Sequence, residues 1–379
     1  MRIVVNTRLL IKDRLEGIGW FTFESLSRIT RKYPEHTFIF LFDRKPSNEF
    51  IFSHNVKWYR ILPQPRHPFL YKIWFDIMIP IALKILKADL FLSPDGFISL
   101  ATSVPTLTVI HDLNFEYFPN DLPYIERGYY KHYFPLFAKK ATRIATVSEY
   151  SKQDIAQLYN IDKNKIDVIY NGASTRFKPV DDKMKLIIRN QYAEGHPYFV
   201  FVGSLHPRKN LARLFKAFDT FCQSSENSEA RLVIVGEKRW WTSTIESAYA
   251  EMKFKNRVLF TGRLSTEKLT QVVGSALAMT YVSNFEGFGI PIIEAYRCDV
   301  PVITSNVTSM PEIAGKGALL VDPSSTEEIA TALKTISQNE PLRQELISQA
   351  RLQREKFSWD LTAEKLWKSI EATYNSSMS

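Results

Sequence analysis

Short apolar runs alternate with longer amphipathic stretches along almost the whole chain, and the alternation occurs twice. Runs of strand length at 2–6, 37–42, 57–62, 90–93, 106–111, 143–147 and 166–170 are separated mostly by helical patterns. The segment Phe177-Lys178-Pro179-Val180-Asp181-Asp182 is polar, contains proline and lacks period, so it reads as a linker. A second series follows at 198–203, 231–235, 258–261, 276–282, 301–304 and 318–321. Short unbroken apolar runs suit strands buried on both faces, and such strands belong to parallel sheets whose crossovers are helices. The expected fold is α/β, with two Rossmann-like halves at 1–175 and 176–358. A length of 379 residues agrees with two domains of roughly 150 residues each.

Composition narrows the class without choosing a function. With 45% hydrophobic and 23% charged residues the chain is of soluble globular type. Its net charge of +9 is compatible with acidic substrates, an anionic membrane surface or nucleic acid. Cys222 and Cys298 lie far apart with no CxxC spacing, which fits a reducing, cytoplasmic compartment. The run from Met1 to Asn6 is too short for a signal peptide and reads as a first strand. The most apolar helical segment, 70–92, is interrupted by Lys72, Asp76, Pro80, Lys84 and Lys87. Four of these recur at four-residue intervals and mark one polar stripe, as in a core-packed helix or a membrane-surface one.

Several residues stand where strands end and chemistry is expected. The run Glu286-Gly287-Phe288-Gly289-Ile290-Pro291-Ile292-Ile293-Glu294 follows a strand, and Pro291 suits a helix start. Amides of Gly287 to Ile290 at that start favour an anion, while the two carboxylates suit sugar or ribose hydroxyls. A tight strand-to-helix turn with solvated acids is the plainer alternative. Strand 198–203 runs into Ser204-Leu205-His206-Pro207-Arg208-Lys209-Asn210, which puts two cations at a carboxyl end, where open α/β sheets bind ligands. Arg208 and Lys209 suit a diphosphate, although surface charge would also explain an Arg-Lys pair.

His111-Asp112 ends another strand, either as a substrate-facing pair or as a buried histidine beside a helix cap. Ser148, three residues before Ser151, reads as a structural cap. Gly17-Ile18-Gly19 lacks the third glycine of a dinucleotide fingerprint and reads as a flexible loop and helix start bordering a cleft. Asp181-Asp182 reads as solvated linker acid. No Walker lysine motif, nucleophile elbow or HExxH occurs.

Together these motifs resemble the retaining glycosyltransferases of family 4. The match runs from Gly17-Ile18-Gly19 through His111-Asp112, Val147-Ser148-Glu149-Tyr150-Ser151, Asn171-Gly172, Val202-Gly203 and Pro207-Arg208-Lys209-Asn210 to Glu286 and Glu294, and includes Pro301-Val302-Ile303 and Ser309-Met310-Pro311-Glu312-Ile313-Ala314-Gly315. The resemblance implies the GT-B architecture, two Rossmann-like parallel-sheet domains facing each other across a cleft. It implies an acceptor-side N-terminal domain completed by the C-terminal helix at 359–379, and a donor-binding C-terminal domain.

Carried over by motif, Arg208 and Lys209 face the diphosphate, Glu294 the ribose and Glu286 the transferred sugar, with His111 approaching that sugar. Gly19, Gly203, Ser204, Gly287, Phe288, Gly289 and Ile290 border the donor; His111, Glu286, Lys209 and Arg208 are the catalytic candidates. Ser204 departs from the arginine common at that place in the family. The implied reaction is metal-independent, needs no cofactor and retains configuration. It moves a hexose, mannose or glucose, from a GDP- or UDP-linked donor to a glycan or polyprenyl-linked saccharide in surface polysaccharide assembly. Peripheral contact with an anionic membrane, at the inner face of the plasma membrane, accords with such an acceptor. The competing readings are a nucleotide-sugar epimerase of the same fold and, from charge alone, a nucleic-acid-binding protein, although no nucleic-acid motif stands out.

Overall fold

The computed structural model describes residues 1–65, 67–224 and 229–376. It divides into two compact units, Met1–Asn171 together with the stretch from Trp359, and Gly172–Ser358. Every expected strand is present, with ends within two residues of those read from the sequence.

The first unit holds β1 (Arg2–Asn6), β2 (Thr37–Phe42), β3 (Val56–Arg60), β4 (Leu90–Ser93), β5 (Thr106–Val109), β6 (Arg143–Thr146) and β7 (Ile166–Val168). They form a parallel sheet in the order β3-β2-β1-β4-β5-β6-β7. The order reverses between β1 and β4, so a crevice opens outside their carboxyl ends. Successive residues of β1 face opposite sides: Ile3 and Val5 join the core under helices Gly17–Lys32 and Trp359–Asn375, whereas Val4 joins the core on the other face. Trp367 of the last helix stacks on Tyr33 with ring centroids 3.8 Å apart, fixing that helix to the first unit. The sequence of 375–379 reads as a frayed tail, but the helix runs to Asn375, and 377–379 lie outside the described residues.

The segment at 70–92 is core-packed on one side, through Trp74, Phe75, Ile79 and Leu83. Its helical part is helix Pro68–Ile73, a π-helical turn Trp74–Met78 and helix Ile79–Ile85; the helix stops there, and 90–92 belong to β4. Its outer side is not the polar stripe alone: Phe69, Ile77, Ile81 and Ile85 are also exposed, and Asp76 turns to accept from the Leu100 amide at 3.1 Å. No helix among the described residues is long and apolar enough to cross a membrane.

The second unit holds β8 (Tyr198–Val202), β9 (Arg231–Val235), β10 (Val258–Gly262), β11 (Ala278–Tyr281), β12 (Val302–Ser305) and β13 (Ala318–Val321). Their parallel order is β10-β9-β8-β11-β12-β13, reversing between β8 and β11. The expected linker is partly ordered structure: Phe177 is buried, and Asp181 caps helix Asp182–Ala193 by accepting from the Met184 amide at 2.7 Å. Asp181 and Asp182 are thus helix-start acids, favoured by the helix dipole, not free linker charge.

Candidate functional site

The second unit's switch point collects most of the expected donor residues. After β8, His206 caps the single 3-10 turn Pro207–Lys209 by accepting from the Arg208 amide at 3.2 Å. Asn210 then takes a left-handed conformation, which asparagine tolerates better than most residues, and its amide donates to the carbonyls of Val282 and Pro323. After β11, the Asn284 amide donates to the Arg208 carbonyl at 2.9 Å, joining the two loops.

This joining brings three charges together. Lys209 Nζ donates to Glu286 Oε1 at 2.6 Å and to the Tyr281 hydroxyl at 2.7 Å. Arg208 Nη1 donates to Glu286 Oε2 at 3.1 Å and to the Phe285 carbonyl at 2.7 Å. Lys209 and Glu286 are buried and Arg208 is mostly so. Burial works to raise the Glu286 carboxyl, but Lys209 and then Arg208 outweigh it and hold the group at about 2. Glu286 is therefore ionised at neutral pH, and two cations against one anion leave one positive charge in excess.

The turn after Glu286 is held from behind. Ser309 Oγ donates to the carbonyls of Glu286 and Phe288, and Thr308 Oγ1 accepts from the Glu286 amide. Gly287, Phe288 and Gly289 are buried, and Gly289, at φ 97°, precedes helix Ile290–Arg297. Pro291 stands in its first turn, where a missing N–H costs nothing. Glu294, one turn in, is half-buried, and its carboxyl makes no hydrogen bond among the described residues. Burial alone pushes its carboxyl up to about 7. Ser204, the departure from the family pattern, is exposed just after Gly203.

Gly203 and Gly236 follow the neighbouring strands β8 and β9. A Cβ on Gly236 would lie 1.9 Å from the Gly203 carbonyl oxygen, so only glycine fits behind the loop that carries Arg208 and Lys209. Sequence reasoning missed Gly236, Tyr281 and Thr308. The usable signal was a glycine after each of two adjacent strands.

In the first unit His111 follows β5. Its Nε2 donates to the Pro94 carbonyl at 2.9 Å, and its ring meets Phe21 edge-on at 5.1 Å. A carbonyl can only accept, so Nε2 carries the proton. Burial lowers the imidazole's pKa, which keeps it neutral. Asp112 accepts from the Asn114 amide at 3.0 Å, a local contact at the start of the short helix Asn114–Tyr117. Ser148 caps helix Glu149–Tyr159 through the Ser151 amide. Gly17-Ile18-Gly19 is the helix start that was expected, the first turn of helix Gly17–Lys32, but not the flexible loop expected with it. Gly19 is buried there, and a Cβ would sit 3.2 Å from the Leu9 carbonyl and 3.1 Å from the Leu15 side chain. The glycine permits close packing of the preceding loop on the helix.

Comparison with known families agrees with this geometry. Residues 182–353 match the model described as glycosyl transferases group 1, and 16–177 match that of Glycosyltransferase Family 4. The chain is a GT-B glycosyltransferase of group 1 and family 4. This glycosyltransferase is 27% identical over 260 residues to O-antigen chain mannosyltransferase B of Escherichia coli, covering 67% of each chain. It is 31% identical over 233 residues to O-antigen chain mannosyltransferase RfbU of Salmonella typhimurium, covering 62% of this chain and 61% of that relative. Among solved structures, Anabaena HepE in complex with UDP and glucose shares the fold, with a TM-score of 0.75, 15% identity and coverage of 98% and 100%.

Proposed function

We propose that this glycosyltransferase moves a hexose, with retention of configuration, from a nucleoside-diphosphate donor to a glycan or polyprenyl-linked saccharide in surface polysaccharide assembly. The observation that carries the reading is the Lys209–Glu286–Arg208 cluster at the β8/β11 switch point, beside the start of helix Ile290–Arg297. Likeness to the two O-antigen mannosyltransferases favours mannose, and hence a GDP-linked donor, over a UDP-linked glucose.

The chemistry follows from charge. Departure of the nucleoside diphosphate leaves an oxocarbenium-like sugar, and negative charge grows on the leaving oxygen. Arg208, Lys209 and the amides around Gly287 to Ile290 are the groups proposed to meet it, without a metal or cofactor. Glu286, already ionised and anchored, accepts from a sugar hydroxyl, and Glu294 accepts from the ribose. His111 meets the substrate as a neutral hydrogen-bonding ring. The acceptor attacks on the face from which the phosphate leaves, and that phosphate takes its proton. No charge on Glu286 changes during this sequence.

The acceptor is proposed to reach the enzyme at a membrane surface, at the inner face of the plasma membrane. Phe69, Ile77, Ile81 and Ile85 are exposed on one segment, with Lys72, Lys84 and Lys87 beside them. Apolar side chains ringed by cations suit an anionic bilayer.

Incubation with a panel of GDP- and UDP-sugars, with product mass and anomeric configuration read by mass spectrometry and NMR, tests the reading. Release of nucleoside diphosphate with an α-linked product from an α-linked donor is expected. Conversion of the donor sugar without any acceptor would favour an epimerase instead, and an inverted linkage would overturn retention.

A further inference from the structure

The second unit ends at Ser358, and Trp359 begins the stretch that belongs to the first unit. The last residues before that crossing are built into the back of the proposed donor turn, and the donor chemistry gives them no role. Phe288 stands in the turn between Gly287 and Gly289 and is buried, its ring edge-on to that of Phe357 with centroids 5.6 Å apart and planes at 83°. Phe357 is buried too. The Phe288 amide lies in the stretch proposed to meet the diphosphate, while the ring of the same residue is taken up by Phe357.

Two further contacts tie the segment 353–357 to the site. Arg297, the last residue of helix Ile290–Arg297, donates from Nη2 to the Phe357 carbonyl at 3.1 Å. Gln353, at the end of helix Glu340–Arg354, donates from Nε2 to the carbonyls of Glu312 and Ile313, both at 3.1 Å. Those carbonyls belong to the short helix Met310–Ala314, directly after Ser309, which holds the carbonyls of Glu286 and Phe288. The segment therefore reaches the turn through a ring, the following helix through an arginine and the brace behind the turn through a glutamine.

Core packing alone would account for two buried phenylalanines. It does not account for Arg297, whose Nε is buried with no acceptor among the described residues. Such a nitrogen is costly, and an apolar side chain would fill the space without that cost. What the guanidinium adds is a fixed link from the far end of the helix to the backbone next to the crossing. Gly287 and Gly289 carry no side chain to hold the turn from within, so Phe288 is its one anchor between them.

We propose that Phe357 is a positioning residue for the donor turn: through Phe288 and Arg297 it fixes the amides that meet the diphosphate, and a nucleoside diphosphate bound there is felt at the chain crossing. The proposal rests on the reading of this turn as the donor site. Calorimetric titration of the full chain with GDP and with UDP, together with hydrogen exchange at 286–290 and 354–358, is the measurement. In the wild type the bound nucleotide is expected to slow exchange in both stretches. Phe357→Ala is expected to bind about ten-fold more weakly, to exchange faster at 286–290 without ligand, and to lose the response at 354–358.

Phe221→Ala controls for lost stability. Phe221 is a core residue in the last turn of helix Leu211–Ser224, so this variant should melt lower yet bind as the wild type does. Phe357→Leu keeps most of the volume without the ring edge; it should fall between wild type and Phe357→Ala, and it carries the test where Phe357→Ala does not fold. Wild-type binding and exchange in the folded Phe357 variants, or an equal loss in Phe221→Ala, would overturn the proposal. A wild type that binds neither nucleotide would sink the donor reading, and exchange at 286–290 without ligand would still decide whether Phe357 positions the turn.

Discussion

Lys209 and Glu286, separated by 77 positions in sequence, meet at 2.6 Å at the β8/β11 switch point. Their pairing makes the site an assembled charge cluster whose members depend on one another. Lys209 and Arg208 each hold one carboxylate oxygen of Glu286, and Glu286 keeps the two cations from repelling each other.

The pair predicts a particular stability pattern. Lys209→Met leaves Glu286 buried beside a single cation and is expected to cost about 3 kcal/mol. Lys209→Met with Glu286→Gln removes both charges and should recover much of that loss. Denaturant titration of the two single variants and the double checks this; additive losses would show that the contact is not energetically coupled.

Glu286 also predicts an acid-side dependence. Its carboxyl is held at about 2 in the folded protein against an ordinary 4.5. Its contribution to stability is therefore present above the ordinary value and lost as pH falls toward 2. Urea midpoints measured from pH about 5 to about 3 should fall more steeply for the wild type than for Glu286→Gln.

Glu294 has the opposite sign. Its carboxyl stands at about 7, so the folded state retains a proton that the unfolded chain has already released. Stability is expected to fall as pH rises from 4.5 through 7, and Glu294→Gln should flatten this slope. If the ionised form accepts the ribose hydroxyls, donor KM decreases over the same rise; a KM independent of pH in the wild type would remove Glu294 from ribose binding.

Gly236→Ala places a methyl group against the Gly203 carbonyl, where backbone and not a flexible side chain must move. A loss of about 1–3 kcal/mol is expected, together with weaker nucleoside diphosphate binding, because the loop bearing Lys209 shifts. Wild-type melting and binding would show that the two strand ends separate easily.

Sequence pattern revealed the strands well because buried parallel strands are unbroken apolar runs, as at Phe199 and Phe201 or Ile3 to Val5. It also marked Arg208, Lys209 and Glu286, since charged residues directly after such runs stand out. Partners that act from elsewhere were not legible. Tyr281 is a strand residue like its neighbours until the fold sets its hydroxyl against Lys209, and Thr308 is one polar residue in a loop. At Gly17 to Gly19 the helix start was legible, but the glycines also suggested a loop, whereas Gly19 relieves a crowded helix start. The row of exposed apolar residues at Phe69, Ile77, Ile81 and Ile85 was obscured by the regular spacing of Lys72, Asp76 and Lys84.

That row predicts membrane association. Cosedimentation with vesicles containing phosphatidylglycerol, but not with phosphatidylcholine alone, is expected, and Ile81→Glu with Ile85→Glu should abolish it. Equal binding to both vesicle types would contradict the role of the flanking lysines.

The most direct test of the proposed donor site is turnover of a saturating nucleotide sugar by Lys209→Ala, with folding confirmed by melting. The account predicts a loss on the order of 100-fold, from removing one charge-stabilising group at the leaving diphosphate. Turnover near that of the wild type would contradict it.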